Sequence, residues 1–416
     1  MISEKMMKNI VIVNAHWNNR GDEAAIRALL TGITDKCHTD NVNITILIKD
    51  DNPIQQFPIL NNVQYRLGKF NAKIWDIWIS VLTRGIIGFN KKLKETILEI
   101  KKSDYIIYSP GGSVINKRFY WRKQMEYLVP FMCSKFYKIP MVIAAPSIGP
   151  FDLAKSNRLI KWLLKTPEVL CVREDISKEY LKEINIDENV EVTIDSAFYD
   201  KIDIESNHQK LLNDNELKSF LDSYEKVIGI TISDFTWHVK LNKNENLAGN
   251  ISVAFKKLIK KLSDENYGIL FIPQLFGNQN DSNYMNTFSG NNTYLMSDEY
   301  DCTFQQFIIS KLYAVIGTRY HSNIFAAKMG TPFLSIIYEE KMEGFIKKAN
   351  LMEYSIELSD LSFELIEEKF RELIMNYFAV KKVLIDKNSE WQKMAERTMN
   401  LVAEAYRQTK GGKRGL

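Results

Sequence analysis

The sequence predicts an α/β protein of two doubly wound domains facing each other across a cleft. Three observations carry that expectation. Short apolar, β-branched runs alternate with amphipathic helical patterns from one end of the chain to the other. Those runs are near-continuously apolar, which marks strands of parallel sheets covered on both faces. The chain also has 416 residues, enough for two domains of about 100–200 residues each.

In the first half the expected strands are Asn9–Asn14, Asn43–Ile48, Tyr105–Ser109, Met141–Ala145, Val169–Arg173 and Val190–Ile194. In the second half they are Val227–Ile232, Gly268–Ile272, Thr293–Met296, Ala314–Gly317 and Phe333–Ile337. Helical patterns at Glu23–Leu30, Ser177–Ile184, Ile251–Leu262 and Gln305–Lys311 lie between them. Strand–helix alternation implies parallel sheets with right-handed crossovers. The stretch Asp200 to Asp222 is polar and contains Asn213-Asp214-Asn215, a loop signal. The expected division is therefore 1–200 and 201–375, with 376–416 as a C-terminal helix and tail. Ser362 to Tyr406 reads as one or two long helices, of the kind that returns to brace the first domain.

Composition narrows the function. Hydrophobic residues make up 45% of the chain, ample for two cores. With 55 Lys plus Arg against 51 Asp plus Glu, the net charge is only +4, which argues against a nucleic-acid protein held by a basic excess. Cys37, Cys133, Cys171 and Cys302 form no CxxC pair and sit in apolar contexts. They read as buried thiols of a reducing compartment. No metal site is expected. The apolar run Ile10–Val13 is short for a secretory signal, and no run approaches the ~18 residues of a membrane helix. A cytoplasmic location is expected. The segment from Trp75 to Phe89 is aromatic and apolar but interrupted by Asp76 and Arg84. It reads first as a core or domain-wall helix and second as a peripheral membrane contact.

Ligands of parallel sheets bind beyond the carboxyl ends of the strands, so the loops there are the candidate sites. After the first strand, Gly21 offers a tight turn and Asp22 a helix N-cap. The amides at that helix start suit an anion or a sugar hydroxyl, and plain capping is the other reading. After Tyr105–Ser109 comes Pro110-Gly111-Gly112-Ser113, where paired glycines allow close approach to the backbone. An ordinary βα turn would look the same. Downstream, Lys117 to Lys123 is basic and aromatic, suited to sugars and phosphates or to a solvated helix face. Arg173 stands at a strand end, aimed at the cleft or paired with Glu174 or Asp175. The strongest block runs from Ala314 to Lys341. A buried strand leads into Arg319, and His321 sits in the first turn of a small-residue helix. Gly330 ends that helix and Pro332 opens the next strand. Arg319 offers a planar fork for carboxylate or phosphate, and Lys341 ends the next βα loop. His16 and His238 lie in loops that line the expected cleft.

That last block resembles the signature of the polysaccharide pyruvyl transferase family, with Gly317, Arg319, His321, Gly330, Pro332, Tyr338 and Lys341 in the family's places. Gly21-Asp22, Gly111-Gly112, Arg173-Glu174-Asp175-Ile176-Ser177 and Asp195-Ser196-Ala197 match further family segments. Ser113 stands where a third glycine is common. The resemblance covers about residues 10 to 350. It implies two Rossmann-like domains in a glycosyltransferase-B-like arrangement, the first on the acceptor side and the second on the donor side. It implies phosphoenolpyruvate as donor substrate, no cofactor, and a saccharide acceptor, lipid-linked or polymeric. By position His321 matches the proposed general acid. Arg173, Arg319 and Lys341 match donor-binding cations. Gly21, Asp22, Gly111, Gly112, Ser113 and Tyr338 fall in the substrate cleft. A nucleotide-sugar glycosyltransferase of the same architecture is the alternative, with Glu339 or Glu340 on the ribose. A silent scaffold protein is a third reading, opposed by the joint presence of Arg173, Arg319, His321 and Lys341.

Overall fold

The computed structural model describes residues 8–37, 42–50, 57–58, 60–112, 114–116, 120–151, 158–235, 245–277 and 280–408. Seven strands form a first, all-parallel sheet: β1 (Lys8–Ala15), β2 (Val42–Ile48), β3 (Val63–Leu67), β4 (Tyr105–Tyr108), β5 (Met141–Ala144), β6 (Val169–Val172) and β7 (Val190–Val192). Their spatial order is β3-β2-β1-β4-β5-β6-β7. A second parallel sheet contains β8 (Val227–Thr231), β9 (Gly268–Phe271), β10 (Thr293–Leu295), β11 (Ala314–Gly317), β12 (Phe333–Ile337) and β13 (Ser355–Glu357), in the order β10-β9-β8-β11-β12-β13. Each sheet is a Rossmann-like doubly wound layer, as the alternation of runs predicts.

Strand residues divide between the two faces with period two. Val11 and Val13 of β1, with Ile106 and Tyr108 of β4, enter one core cluster. Ile10 and Ile12, with Tyr105 and Ile107, enter the other. Both faces are covered, so β4 and β5 are buried at every position. Two strands are absent from the expected set. β3 is partly exposed along its length, and β13 is a three-residue edge. Neither buries enough side chain to leave an apolar run in the sequence.

The chain forms two compact units. One holds residues up to Trp17, Ala25–Asp200 and the chain from Lys393. The other holds Asn18–Ala24 and Lys201–Gln392. Residues 18–24 thus leave the sequence-expected first domain. The segment 376–416 is not a separate piece either. Tyr377–Gln408 is one helix, whose Met399, Val402, Ala403 and Tyr406 pack in a core of the first unit. Its Trp391 packs on Phe345 in the second, 5.8 Å between ring centres. All four cysteines are buried thiols, and burial raises Cys133 and Cys171 to about 12. Among the described residues, no helix is long and apolar enough to cross a membrane.

Candidate active site

Strand order reverses between β8 and β11 in the second sheet, and such a switch point opens a crevice at the strands' carboxyl ends. β11 ends there at Gly317. A Cβ on Gly317 would stand 2.2 Å from Asn323 Oδ1 and 2.6 Å from Ser322 Oγ, so only glycine lets the next helix fold back so tightly. Thr318 ties the turn to β8, its amide and hydroxyl both donating to Thr231 O at 3.1 and 2.8 Å. Arg319 is the N-cap of Tyr320–Met329, and Gly330 closes that helix in the left-handed conformation at φ 70°.

His321 is buried in the helix's first turn. Its ring meets that of Tyr320 edge-on at 5.0 Å. On another side lies Gly21, where an added Cβ would fall 1.7 Å from His321 Cγ. The sequence reading gave Gly21 a tight turn. In the structure it lies in the helix Arg20–Cys37, and its missing side chain is the room His321 occupies. Asp22 is not the N-cap either. Asn19 Oδ1 accepts from the amides of Gly21 and Asp22 at 2.9 and 3.3 Å. Asp22 sits in the first turn, where its charge suits the positive end of the helix dipole.

Arg319 uses its fork inside the protein. Nε donates to Asp281 Oδ2 at 3.2 Å, and Nη2 donates to Oδ1. Asp281 Oδ2 also accepts from the amides of Gln274 and Leu275 at 3.1 and 2.9 Å. The fork expected to face a substrate anion is therefore bound to an internal carboxylate. Burial works against the Arg319 charge, but Asp281 and the Tyr338 phenol outweigh it and raise the pKa. Tyr338 follows β12 and meets Phe235 edge-on at 5.0 Å. Burial first, then the Glu339 charge, raises its phenol against Arg319 and Lys341. Lys341 Nζ lies 2.7 Å from Glu339 Oε2 and 5.6 Å from the Tyr320 ring centre. Arg319, Tyr320, His321, Tyr338, Lys341 and Gly21 all belong to the second unit.

The other expected residues belong to the first unit, at the carboxyl edge of its own sheet. Arg173 follows β6 and is buried. Its Nη1 donates to Asp195 Oδ2 at 2.7 Å, its Nε donates to Ser147 Oγ at 2.9 Å, and Glu174 Oε2 lies 3.4 Å away. Its partners are thus Asp195 and Glu174, and two of the family segments meet here in one ion-pair cluster. Gly112 takes φ 68°, and its carbonyl accepts from Ser147 N at 3.2 Å. Gly111 is buried beside it. Ser113, residues 117–119 and His238 lie outside the described residues. Within the described remainder of the basic and aromatic stretch, Arg122 donates to Tyr120 Oη at 3.2 Å.

Two clusters were missed. His16 Nδ1 lies 3.2 Å from Asp50 Oδ1, and Trp17 N donates to Asp50 Oδ2. An ionised carboxylate can only accept, so the ring donates from Nδ1, and in the neutral imidazole that leaves the lone pair on Nε2. This pair stands after β1 and β2, and the switch point of the first sheet lies between β1 and β4. Next to it, Lys49 Nζ lies 3.9 Å over the Tyr127 ring. Burial and then repulsion from Lys123 lower Lys49 from 10.5 to about 7, against attraction from Glu126. The signal was present, since Lys49-Asp50 directly follows an apolar strand. Asp281 carried no such signal.

Among the described residues, no group of three or more His, Cys, Asp or Glu side chains is placed to hold a metal ion.

The polysaccharide pyruvyl transferase family model matches residues 19–340. The amylovoran biosynthesis protein AmsJ of Erwinia amylovora is 22% identical over 409 residues, covering 90% of this chain and 94% of that protein. Solved structures share the fold at lower identity. The S. aureus MnaA-UDP co-structure has a TM-score of 0.62 at 12% identity, covering 98% of this chain and 99% of that one. A glycosyltransferase from Rickettsia africae has a TM-score of 0.58 at 12% identity, covering 98% and 100%. The two parallel sheets are thus those of a glycosyltransferase-B-type fold. With the family model spanning residues of both units and the block from Gly317 to Tyr338 within it, the chain belongs to the polysaccharide pyruvyl transferase family and is a transferase of polysaccharide biosynthesis.

Proposed function

We propose that the protein moves the enolpyruvyl group of phosphoenolpyruvate onto a saccharide, forming a pyruvyl ketal and releasing phosphate in cell-surface polysaccharide biosynthesis. The observation that carries this reading is His321, buried at a switch point between Gly21 and Tyr320, two residues after a charged arginine. A proton donor beside cations is what an enol phosphate requires.

In this scheme the imidazolium of His321 gives its proton to the methylene carbon of the donor. The neighbouring carbon becomes electron-poor. A saccharide hydroxyl bonds to it and passes its proton to a base. A second hydroxyl bonds to the same carbon as the bond to phosphate breaks, and its proton leaves with the phosphate. His321 regains a proton from solvent as the base returns one. Lys341 and Arg319 balance the donor's carboxylate and phosphate charge. Asp281 holds Arg319 and Glu339 holds Lys341, and the lysine, the less buried of the two, is the more adaptable cation. Tyr338 and Asp22 complete the donor surroundings, with Gly111 and Gly112 on the acceptor side.

In the first unit, the residue placed to take a proton from a saccharide hydroxyl is His16. Asp50 fixes its tautomer, and the ring's Cδ2, next to Nε2, lies 3.8 Å from the point where Gly112 would carry a Cβ. Glycine leaves that edge of the imidazole uncovered for a sugar hydroxyl. The scheme calls for no cofactor or metal and no nucleic acid, and four buried thiols suit a cytoplasmic location.

Thermal shift with phosphoenolpyruvate tests the donor. At a hundred times its dissociation constant a ligand stabilises by about 2.7 kcal/mol. The shift should be lost in Lys341→Ala and kept in His321→Ala. A shift with nucleoside diphosphates and none with phosphoenolpyruvate would replace pyruvyl transfer by sugar transfer from a nucleotide.

A further inference from the structure

We propose that the face formed by Trp75, Ile79, Leu82, Ile86, Ile87 and Phe89 docks the protein on an anionic phospholipid surface. The inference stands apart from the group the enzyme transfers. In the sequence this stretch reads first as a core helix, and the structure places only half of it there. Ile77 and Val81 of the helix Ile74–Leu82 are fully buried. Trp75, Leu82, Ile86 and Phe89 are 47%, 60%, 74% and 78% exposed. A monomer gains nothing from holding side chains of this size in water.

The loop that carries them is built. Asp76 is buried, and its two carboxylate oxygens accept from the amides of Phe89 and Asn90 at 2.8 and 2.9 Å. Thr83 Oγ1 accepts from Ile87 N at 3.1 Å. Gly85 turns the chain at φ 79°. Gly88 packs so closely on Ser80 that a Cβ would fall 2.1 Å from its Oγ. Trp75 and Phe89 meet edge-on at 5.2 Å. These bonds fix an apolar projection.

Charge selects the occupant. Asp76 is the single acidic residue between Lys73 and Lys94, and it is turned inward. The exposed charges that flank the projection along the chain, from residue 73 to residue 92, are Lys73, Arg84, Lys91 and Lys92. Glu95, one turn further on, pairs with Lys91 at 3.9 Å. An apolar tip of Trp, Ile and Phe ringed by cations matches the acyl boundary of a bilayer beneath anionic headgroups. A nine-residue helix is too short to span one, so it lies in the interface.

The test is flotation of the full-length protein with vesicles of phosphatidylcholine alone, or of phosphatidylcholine and phosphatidylglycerol in equal amounts. The wild type should float with the anionic vesicles and lose them at high salt. Trp75→Ser with Phe89→Ser should lower the partition coefficient about tenfold or more. Lys91→Ser and Lys92→Ser should each lower it about fivefold, on anionic vesicles only. Met375→Ser with Phe378→Ser removes two apolar side chains elsewhere that are at least as exposed and should change nothing. The proposal is overturned by a wild type that stays with the unbound fraction, or by a Trp75/Phe89 pair that floats like the wild type. It is equally overturned by a wild-type dimer that does not float and that the same pair converts to monomer, which would make the face an interface between copies.

Discussion

Gly21 and His321 occupy adjoining space: a methyl group on Gly21 would stand 1.7 Å from His321 Cγ and 1.9 Å from Nδ1. The glycine of one motif is therefore the wall of the histidine in another. Gly21→Ala should displace the imidazole without touching any substrate group. Phosphate release should fall by about 10²–10⁴-fold, as for loss of a general acid. The double variant with His321→Ala should be no worse than His321→Ala alone, because both changes remove one proton donor. A folded Gly21→Ala enzyme with full activity would show that His321 needs no such wall.

Arg319 and Asp281 form a buried pair that breaks unevenly. Asp281→Ala leaves a charged guanidinium with no internal carboxylate and should cost about 3–5 kcal/mol in urea unfolding. It also orphans the Gln274 and Leu275 amides. Replacing both partners with apolar residues should be much less harmful than replacing one. A loss in the double variant equal to the sum of the two single losses would mean that the pair is not coupled.

Lys49 gives the first unit a pH signature. Its folded value is about 7 against an ordinary 10.5, through burial and then Lys123. Between those values the unfolded chain holds a proton that the folded chain has released. Stability from this group therefore rises as the pH goes from about 7 toward 10.5, and the full penalty applies below about 7. Lys49→Met should raise the melting temperature at pH 6 and flatten the rise above pH 7. An unchanged profile in thermal melts would show that Lys49 titrates normally.

His16 can be separated from a structural role by chemical rescue. His16→Gly should lower kcat by about 10²–10⁴-fold, with the phosphoenolpyruvate thermal shift kept. Added imidazole should restore part of the rate. The assay follows phosphate release with polysaccharide from a strain lacking the enzyme as acceptor. Asp50→Asn should also lower kcat, because an amide can favour the wrong tautomer. Phosphate release by the wild type but no rescue would remove His16 alone. No phosphate release by the wild type would remove pyruvyl transfer as well.

The local features were legible. β11 and β12 have the bounds the apolar runs gave them, and Gly330 ends the intervening helix at positive φ, because strand burial and helix stop signals depend on neighbours in sequence. Asp22 was misread as the cap because Asn19, three residues earlier, offers the same chemistry and lies closer to the first free amides.

By itself the sequence determined two parallel sheets and the strand–turn–helix pattern from Ala314 to Ile337, since period, caps and breakers are short-range properties. Only the tertiary structure decided which charges meet. It set Asp281 on Arg319, Asp195 on Arg173, Asp50 on His16 and Gly21 beneath His321. Such pairs are settled by where parallel strands end side by side, and residues adjacent at a sheet edge lie far apart along the chain.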